Sequence, residues 1–341
     1  MNRRNWLLST IAIGIAAALV GIAADRTLFR NFDQASAQVI ATREVDIDGY
    51  KFIHPLLTCN VAEVKESPQL DPLKNVITGF INEKINSGDL SEASVYMRVP
   101  NGYWLVINEN EKYNPASLLK VPVMMAFYKW AENDPSILNK KIYFDGSFDY
   151  NKAETYTSTE RIKPNHTYTV DQLVDSLIIN SDNNAAQLLY TIMDPSELAE
   201  VYTDLGLRQP DNNVLSDSIT VKSYAYFFRV LFNATYLTRK YSEHALDLLS
   251  RSTFPGGLIG GVPKGIIVAN KFGERTILNS NNDSDVRQRE LHDCGIVYVD
   301  NKSYLLCVMT KGKDFSKLND FIEQVSKQTY NFVKNNLLSG Q

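Results

Sequence analysis

The sequence predicts an α+β fold in which one antiparallel sheet is formed from both chain ends, is flanked by helices, and accepts an inserted all-helical lobe. Strand-like runs occur early, at 94–99 and 103–107, and return late, at 265–269, 295–299 and 303–310. Between these two groups the apolar residues recur mostly at helical spacing. Strands at both ends with helices in the middle fit a sheet closed by the two halves of the chain.

Each element follows from a local pattern. Apolar residues recur every three or four positions over 73–85, which predicts a first amphipathic helix. Pro100-Asn101-Gly102 separates the first two strand-like runs and predicts a hairpin turn. The run at 121–130 is apolar nearly all round and predicts a buried helix. Further helices are predicted at 169–179, 184–192, 195–205, 221–232 and 316–337.

The chain is predicted to have three segments. Residues 1–25 contain an uncharged run at 6–24 after Arg3 and Arg4, and as a helix this run spans about 28 Å, close to a bilayer core. We interpret it as a single-pass membrane anchor that leaves the rest of the chain extracytoplasmic. The alternative is a signal peptide whose cleavage yields a secreted protein. Residues 26–70 are predicted to be a linker, and 71–337 one domain, with a sheet lobe at about 71–113 and 255–337 and a helical lobe at about 114–254.

The composition excludes several functional classes. The chain has 341 residues, of which 44% are hydrophobic and 22% charged, as expected of a globular protein and not of a disordered one. The formal net charge of -4 argues against nucleic-acid binding, which requires a clustered positive surface. The four histidines are scattered without ligand spacing, so we expect no metal and no cofactor.

The three cysteines cannot all pair, and no disulfide is expected between Cys294 and Cys307. Cys294 and Cys307 lie on two consecutive strand-like runs, and a turn over 300–302 would place residue 294 opposite residue 308. In that register the two sulfurs face opposite sides of the sheet. Cys59 lies in the predicted linker, far from the apolar run, which argues against a lipid anchor.

The chemistry is predicted to lie at Ser117-Leu118-Leu119-Lys120, the one Ser-x-x-Lys sequence in the chain. Residues three apart on a helix share a face, so the Lys120 amine can approach the Ser117 hydroxyl. A serine hydroxyl is a weak nucleophile until a base removes its proton. A lysine in an apolar setting binds its proton less tightly and can act as that base near neutral pH.

Two further sequences support this interpretation. Ser181-Asp182-Asn183 opens a predicted helix, and Lys271-Phe272-Gly273 follows the predicted strand 265–269. In this order the three motifs resemble those of the penicillin-recognising serine hydrolases, specifically the class A β-lactamase-like group. The resemblance extends from about residue 73 to the last helix, and it implies a class A β-lactamase/transpeptidase-like fold.

The resemblance also implies the roles of the reacting side chains. Ser117 would be the acylated nucleophile, and Lys120 its activating base. Ser181 would relay a proton to the leaving nitrogen, and Lys271 would supply positive potential beside Ser181 and the substrate carboxylate.

Other residues of the three motifs are implied to bind substrate or support the site. Asn183 would hydrogen-bond the amide side chain of the substrate. Backbone N–H groups near Gly273 and Glu274, with that of Ser117, would form the oxyanion hole, where each donor contributes about 3 kcal/mol. Asp182 is expected to hold its own turn together.

Two departures from the family pattern bear on function. Class A β-lactamases carry a Glu-x-x-Leu-Asn loop whose glutamate activates the deacylating water, whereas the corresponding stretch 208–219 has only Asp211 and Asp217 as carboxylates. Loss of a positioned base slows water attack by about two to four orders of magnitude. Phe272 replaces the usual Thr or Ser, so a hydroxyl for the substrate carboxylate is missing. Arg275, Arg287 and Arg289 are the candidate replacements.

The sequence therefore predicts an exported serine hydrolase that opens a β-lactam ring, or cleaves a peptidoglycan D-Ala-type amide of a stem peptide, through an acyl-Ser117 intermediate. Deacylation is expected to be slow. The alternative is a non-catalytic penicillin-binding-like module that binds the cell wall, which Phe272 and the short loop would favour. Retention of the Ser117–Lys120 pair argues against it, because binding alone does not require that pair.

Overall fold

The computed structural model describes residues 50–55, 66–100, 102–158, 160–210, 217–279, 282–299 and 302–337. The predicted membrane segment at 6–24, Cys59 and Asp211 lie outside these residues. Within the described part of the chain, no helix is both long and apolar enough to cross a bilayer. The anchor therefore stays a prediction.

The described residues form nine helices and seven strands, apart from short 3-10 turns and a final π-helical turn. The helices are α1 (Asp71–Asn86), α2 (Lys120–Asn133), α3 (Val170–Ile179), α4 (Asn183–Tyr190), α5 (Pro195–Asp204), α6 (Val221–Phe232), α7 (Arg239–Ser250), the short α8 (Gly257–Gly260) and α9 (Phe315–Phe332). The strands are β1 (Glu92–Arg98), β2 (Trp104–Ile107), β3 (Lys141–Phe144), β4 (His166–Thr169), β5 (Ile267–Asn279), β6 (Asn282–Val299) and β7 (Lys302–Gly312).

Five strands form one antiparallel sheet in the order β2-β1-β7-β6-β5. The early hairpin thus pairs with the last strand of the chain, which confirms the predicted sheet built from both chain ends. Strands β3 and β4, which the sequence analysis does not predict, form a separate two-stranded sheet that leads into α3. Helix α7 was likewise not predicted.

Two hydrophobic cores cover the two faces of the large sheet. One core packs α1 and α9 against one face, with Ile77 and Phe321 among its buried side chains. The other packs helices α2 to α7 against the opposite face, with Val123 and Phe228 among its buried side chains. Successive residues of a strand point to opposite faces, so neighbouring residues of β5 enter different cores.

The prediction that Cys294 and Cys307 do not pair is wrong. The structure joins them in a disulfide across β6 and β7. Val299 pairs with Lys302, so the turn is one residue shorter than expected and Cys294 lies directly opposite Cys307. A shift of one residue in register brings both sulfurs to the same face of the sheet.

Residues 50–55 belong to the folded body, although the sequence analysis assigns them to a linker. Phe52 and Ile53 are buried in the core of the helical lobe. The Glu243 carboxylate on α7 accepts hydrogen bonds from the backbone N–H groups of Lys51, Phe52 and Ile53 at 2.6, 2.8 and 2.9 Å. This short segment therefore satisfies its backbone donors through a side chain that is distant in sequence.

Candidate active site

Ser117 lies in a short 3-10 helix, Ala116–Leu119, that runs directly into α2. The preceding residue Ala116 has φ of 46°, in the left-handed region that non-glycine residues rarely adopt. Its backbone N–H donates to Asn114 Oδ1 at 3.0 Å, and the buried Tyr224 hydroxyl donates to Leu118 O at 2.9 Å. These contacts hold the turn in its uncommon conformation, as is frequent at functional sites.

Lys120, the first residue of α2, is almost completely buried, and its amine contacts the second motif. Nζ lies 2.5 Å from Ser181 O, 3.1 Å from Ser181 Oγ and 2.7 Å from Asn183 Oδ1. No hydrogen bond to the Ser117 hydroxyl occurs among the described contacts of this amine. Burial lowers the pKa of Lys120 to about 8, and the nearby Glu154 carboxylate opposes that shift. At this pKa a fraction of the amine is neutral at physiological pH.

The second motif is a tight turn before α4 that is organised around a buried carboxylate. Ser181 has φ of 53°, again in the left-handed region. Asp182 caps α4 by accepting from the backbone N–H groups of Asn184 and Ala185 at 2.9 and 3.2 Å. The same carboxylate accepts from Asn151 Nδ2, Ile162 N and Ser176 Oγ. Asp182 therefore fixes the turn that presents Ser181, and it does so with five hydrogen bonds.

Lys271 reaches the same hydroxyl from the large sheet. Its Nζ lies 2.8 Å from Ser181 Oγ and 3.1 Å from Phe272 O, and the residue is fully buried. Burial, followed by the positive charge of Lys120, lowers the pKa of Lys271 well below its usual range. The Ser181 hydroxyl thus lies between two amines whose protons are both held less tightly than in water.

Gly273 allows the strand to approach the turn that carries the candidate nucleophile. A Cβ atom at this position would lie 3.0 Å from Pro115 O and 3.1 Å from Leu118 N, closer than nearly all real Cβ contacts. The next residue, Glu274, accepts hydrogen bonds through Oε1 from the backbone N–H groups of Thr155 and Tyr156 at 2.7 and 2.9 Å. Strand β5 is therefore tied both to the 116–119 turn and to the loop that follows Tyr150–Ala153.

A cavity of about 560 Å³ opens beside Ser117. Its wall includes the polar residues Lys120, Asn183, Glu274 and Arg275, together with apolar and tyrosyl side chains: Leu119, Ala186, Tyr190, Leu198 and Tyr202. The cavity therefore exposes the Ser117 region to a ligand beside both polar and apolar groups, as small-molecule sites usually do. No cluster that could hold a metal ion occurs among the described residues.

Comparison with known proteins identifies the family. The sequence profile described as "Beta-lactamase enzyme family" matches residues 73–333. The chain belongs to the β-lactamase enzyme family. Among curated proteins, no match was found.

Solved structures agree with this assignment at the level of fold. The structure of PBP-A is 20% identical, with a TM-score of 0.64, covering 79% of this chain and 98% of that one. A β-lactamase from Sphaerobacter thermophilus is 18% identical, with a TM-score of 0.62, covering 78% of this chain and 98% of that one. A class A β-lactamase from Mycobacterium abscessus is 18% identical, with a TM-score of 0.60, covering 76% and 99%. The predicted class A β-lactamase-like fold is confirmed.

The structure locates Phe272 and Asp217, the residues of the two departures from the family pattern. The Phe272 ring packs in the core beside α9, where it stacks on that of Phe254 with centroids 4.2 Å apart, and Lys271 Nζ lies over the ring at 4.4 Å from its centroid. It is not among the described residues that line the cavity. In the 208–219 stretch, where 211–216 are not described, the Asp217 carboxylate pairs with Lys311 Nζ at 2.8 Å. Asp217 is therefore paired with a residue near the end of the central strand β7.

The three arginines that could bind the substrate carboxylate differ in their position relative to the cavity. Arg275 lines the cavity and lies two residues after Gly273 on β5. Arg289 donates to Lys313 O at 3.2 Å and lies over the Phe315 ring. Neither Arg287 nor Arg289 is among the described cavity-lining residues.

Sequence reasoning missed the residues that surround Lys120 and Asn183. Glu154 lies 3.9 Å from Lys120 Nζ, accepts from Asn183 Nδ2 at 2.8 Å, and forms an ion pair with Arg161. Neither Glu154 nor Arg161 lies in one of the three motifs, and the sequence alone does not distinguish Glu154 from Glu160 and Glu274, which could also reach the site. A hint is that Glu154 and Arg161 flank a stretch rich in Thr and Ser, but such a pattern is common in solvated loops.

Proposed function

We propose that this protein is an exported serine acyl-transfer enzyme that opens β-lactams, or cleaves D-Ala-type amides, through an acyl-Ser117 intermediate. The observation that carries the proposal is the meeting of three distant segments at one point. Lys120 and Lys271 flank the Ser181 hydroxyl at 3.1 and 2.8 Å beside the cavity that Ser117 lines. Two buried amines around one hydroxyl are costly to assemble, which supports a chemical role for the arrangement.

The proposed acylation transfers a proton from Ser117 to the leaving nitrogen by way of Lys120 and Ser181. Neutral Lys120 removes the proton from the Ser117 hydroxyl as its oxygen attacks the carbonyl carbon. The backbone N–H groups of Ser117 and Glu274 donate to the developing oxyanion. Lys120 then passes its proton to Ser181, whose own proton goes to the leaving nitrogen as the C–N bond breaks. The contact of 3.1 Å between Lys120 Nζ and Ser181 Oγ supports this transfer.

Slow deacylation is part of the proposal. Hydrolysis of the acyl-enzyme requires a base that activates water on the ester. The Glu-x-x-Leu-Asn motif is missing from the sequence, and Asp217 is paired with Lys311. Loss of such a base slows the step by about 10²- to 10⁴-fold. We therefore favour a long-lived acyl-enzyme, typical of a penicillin-binding protein, over rapid antibiotic hydrolysis.

Arg275 is the proposed partner of the substrate carboxylate. The usual hydroxyl is absent because Phe272 occupies its place in the sequence and turns into the core. Arg275 lines the cavity on the same strand. A guanidinium can bind a carboxylate with two parallel hydrogen bonds and a positive charge, so it can bind the substrate carboxylate where the hydroxyl is missing.

Export is supported by the chemistry of the sheet. Disulfides persist in oxidising compartments and are rare in the cytosol, and Cys294 and Cys307 are paired. The uncharged run at 6–24 after two arginines supplies the expected means of membrane attachment. Protease accessibility of the domain in intact cells, with and without membrane permeabilisation, tests this placement.

A fluorescent penicillin tests the proposed chemistry. We expect the wild-type protein to acquire one covalent label, detectable by gel fluorescence and intact-mass spectrometry. Ser117→Ala should abolish the label without changing the thermal unfolding temperature, because Ser117 is only partly buried. The absence of a label on folded wild-type protein, or equal labelling of the variant, would refute the proposal.

A further inference from the structure

A buried carboxylate lies directly behind Lys120 and Asn183. Glu154 follows the 3-10 helix Tyr150–Ala153, and its side chain is only 11% exposed. Oε1 accepts from Asn183 Nδ2 at 2.8 Å and lies 3.9 Å from Lys120 Nζ, while Oε2 pairs with Arg161. The side chain therefore connects the first two catalytic motifs to a loop outside both.

The position of this carboxylate is fixed by its surroundings. The ion pair with Arg161 holds one oxygen. The backbone N–H of Glu154 donates to Asn151 O at 3.3 Å, and the next two N–H groups donate to the Glu274 side chain on β5. Because the loop is tied on both sides, Glu154 cannot withdraw from the site without breaking several hydrogen bonds.

Both N–H groups of the Asn183 amide already donate hydrogen bonds. Its Oδ1 accepts from Lys120 Nζ at 2.7 Å. Its Nδ2 donates to Glu154 Oε1 at 2.8 Å and to Tyr150 O at 3.2 Å. The reverse orientation of the amide would set N–H groups against an amine donor and its oxygen against a carboxylate. The observed orientation is thus the one that the neighbouring groups require.

The resemblance to class A β-lactamases implies that Asn183 hydrogen-bonds the amide side chain of the substrate. In the structure, however, the acceptors of the two Asn183 N–H groups are Tyr150 O and the Glu154 carboxylate. A substrate amide carbonyl must compete with Glu154 Oε1, which is the stronger acceptor because it is charged. Anchoring of an acylamino side chain should therefore contribute little to acylation.

We propose that Glu154 is a positioning residue that engages the Asn183 amide and the Lys120 amine, and so makes acylation insensitive to an acylamino side chain on the β-lactam. This inference rests on the proposed function for its substrate and extends it to substrate selectivity. It differs from a general-base role, because the carboxylate acts through Asn183 and Lys120.

Glu154 also affects Lys120 through its negative charge. The negative carboxylate favours the ammonium form and raises the pKa of Lys120 against the effect of burial. The other charged groups around this amine come from three parts of the chain: Asp182 in the turn before α4, Arg161 on the loop after Ala153, and Glu274 and Lys271 on β5. Since their charges partly cancel, removal of the Glu154 charge should lower the pKa of Lys120 by about one unit.

Two variants separate the acceptor from the charge. Glu154→Gln keeps an oxygen for Asn183 Nδ2 and removes the charge, whereas Glu154→Ala removes both. Glu160→Ala is the matched control, because Glu160 lies on the same loop with an exposed side chain. Thermal unfolding of each variant establishes that the compared proteins are folded.

The first measurement is the second-order rate constant of acylation by benzylpenicillin, which carries an acylamino side chain, and by 6-aminopenicillanic acid, which does not. We expect the ratio of the two constants to rise about tenfold in Glu154→Ala, the value of one released hydrogen bond, to rise less in Glu154→Gln, whose neutral oxygen is a weaker acceptor, and to stay near that of wild type in Glu160→Ala. A purely structural defect would slow both compounds alike. An unchanged ratio in folded Glu154→Ala would overturn the proposal.

The second measurement needs no acylation, so it remains decisive if the proposed function fails. NMR of protein labelled with ¹⁵N-lysine follows the titration of the Lys120 amine, which Lys120→Arg identifies by loss of its signal. We expect a pKa about one unit lower in Glu154→Gln than in wild type or Glu160→Ala. An equal pKa in Glu154→Gln and wild type would overturn the proposal whether or not penicillins label Ser117.

Discussion

The rate of acylation should increase with pH because Lys120 must be neutral to accept the Ser117 proton. Burial lowers the pKa of this amine to about 8. At pH 7 about one tenth of Lys120 is then neutral, and at pH 6 about one hundredth. The expected profile rises tenfold per pH unit below neutrality and levels off above about pH 9.

Stopped-flow measurement of the acylation rate with a saturating fluorescent penicillin, between pH 5.5 and 10, tests this expectation. A saturating penicillin concentration separates the rate of the chemical step from substrate binding. Without saturation, the protonation of Lys271 would also affect the measured rate through binding. Thermal unfolding at each pH shows that the protein stays folded, and spontaneous opening of the penicillin at high pH is subtracted.

Replacement of the amine provides an independent check. Lys120→Arg keeps a positive charge but cannot lose its proton, because the guanidinium pKa exceeds about 12. Acylation should fall by about 10²- to 10⁴-fold and lose its rise with pH. A wild-type rate that is flat between pH 6 and 9, or that falls with pH, would refute Lys120 as the base.

Three further results are expected. The acyl-enzyme formed by penicillin at Ser117 should persist for minutes or longer in intact-mass spectrometry, and its disappearance within milliseconds would show that another group activates water. Asp182→Ala should lower the free energy of unfolding in urea by about 3–5 kcal/mol, because it leaves buried donors unpaired. The exposed cap residue Asp194→Ala is the control, and a similar small change in both variants would contradict this reading. Phe272→Ala should lower the free energy of unfolding by about 3–5 kcal/mol through loss of the Phe254 stack, and loss of the ring beneath Lys271 Nζ should change the acylation rate by no more than about tenfold. A large fall in that rate without loss of stability would place Phe272 in the site instead.

Much of the fold could be predicted from local patterns. The boundaries of α6 match the predicted 221–232, and the early hairpin forms where Pro100-Asn101-Gly102 indicates. The predicted strand 265–269 is shorter than the observed β5, because the apolar run stops at residue 269 while backbone pairing continues to Asn279. Beyond residue 269 the strand is stabilised by backbone pairing with β6, and a local sequence pattern does not predict that pairing.

The register of the late hairpin shows the same limit. A difference of one residue in the turn decides whether Cys294 and Cys307 face each other. The sequence contains no strong signal for the turn length, so the predicted register was wrong. Packing of the two apolar faces against different cores determines the register, and that information is not local.

The candidate site divides in the same way. The sequence by itself determined the serine, the lysines and the family, since the motifs place these groups at fixed spacing on a helix, a turn and a strand. The tertiary structure alone decided that a carboxylate lies behind them. Glu154 reaches Lys120 and Asn183 because Arg161 and Glu274 hold its loop against the sheet. Hydrogen bonds and ion pairs between residues far apart in sequence depend on how elements pack, and periodicity describes only each element separately.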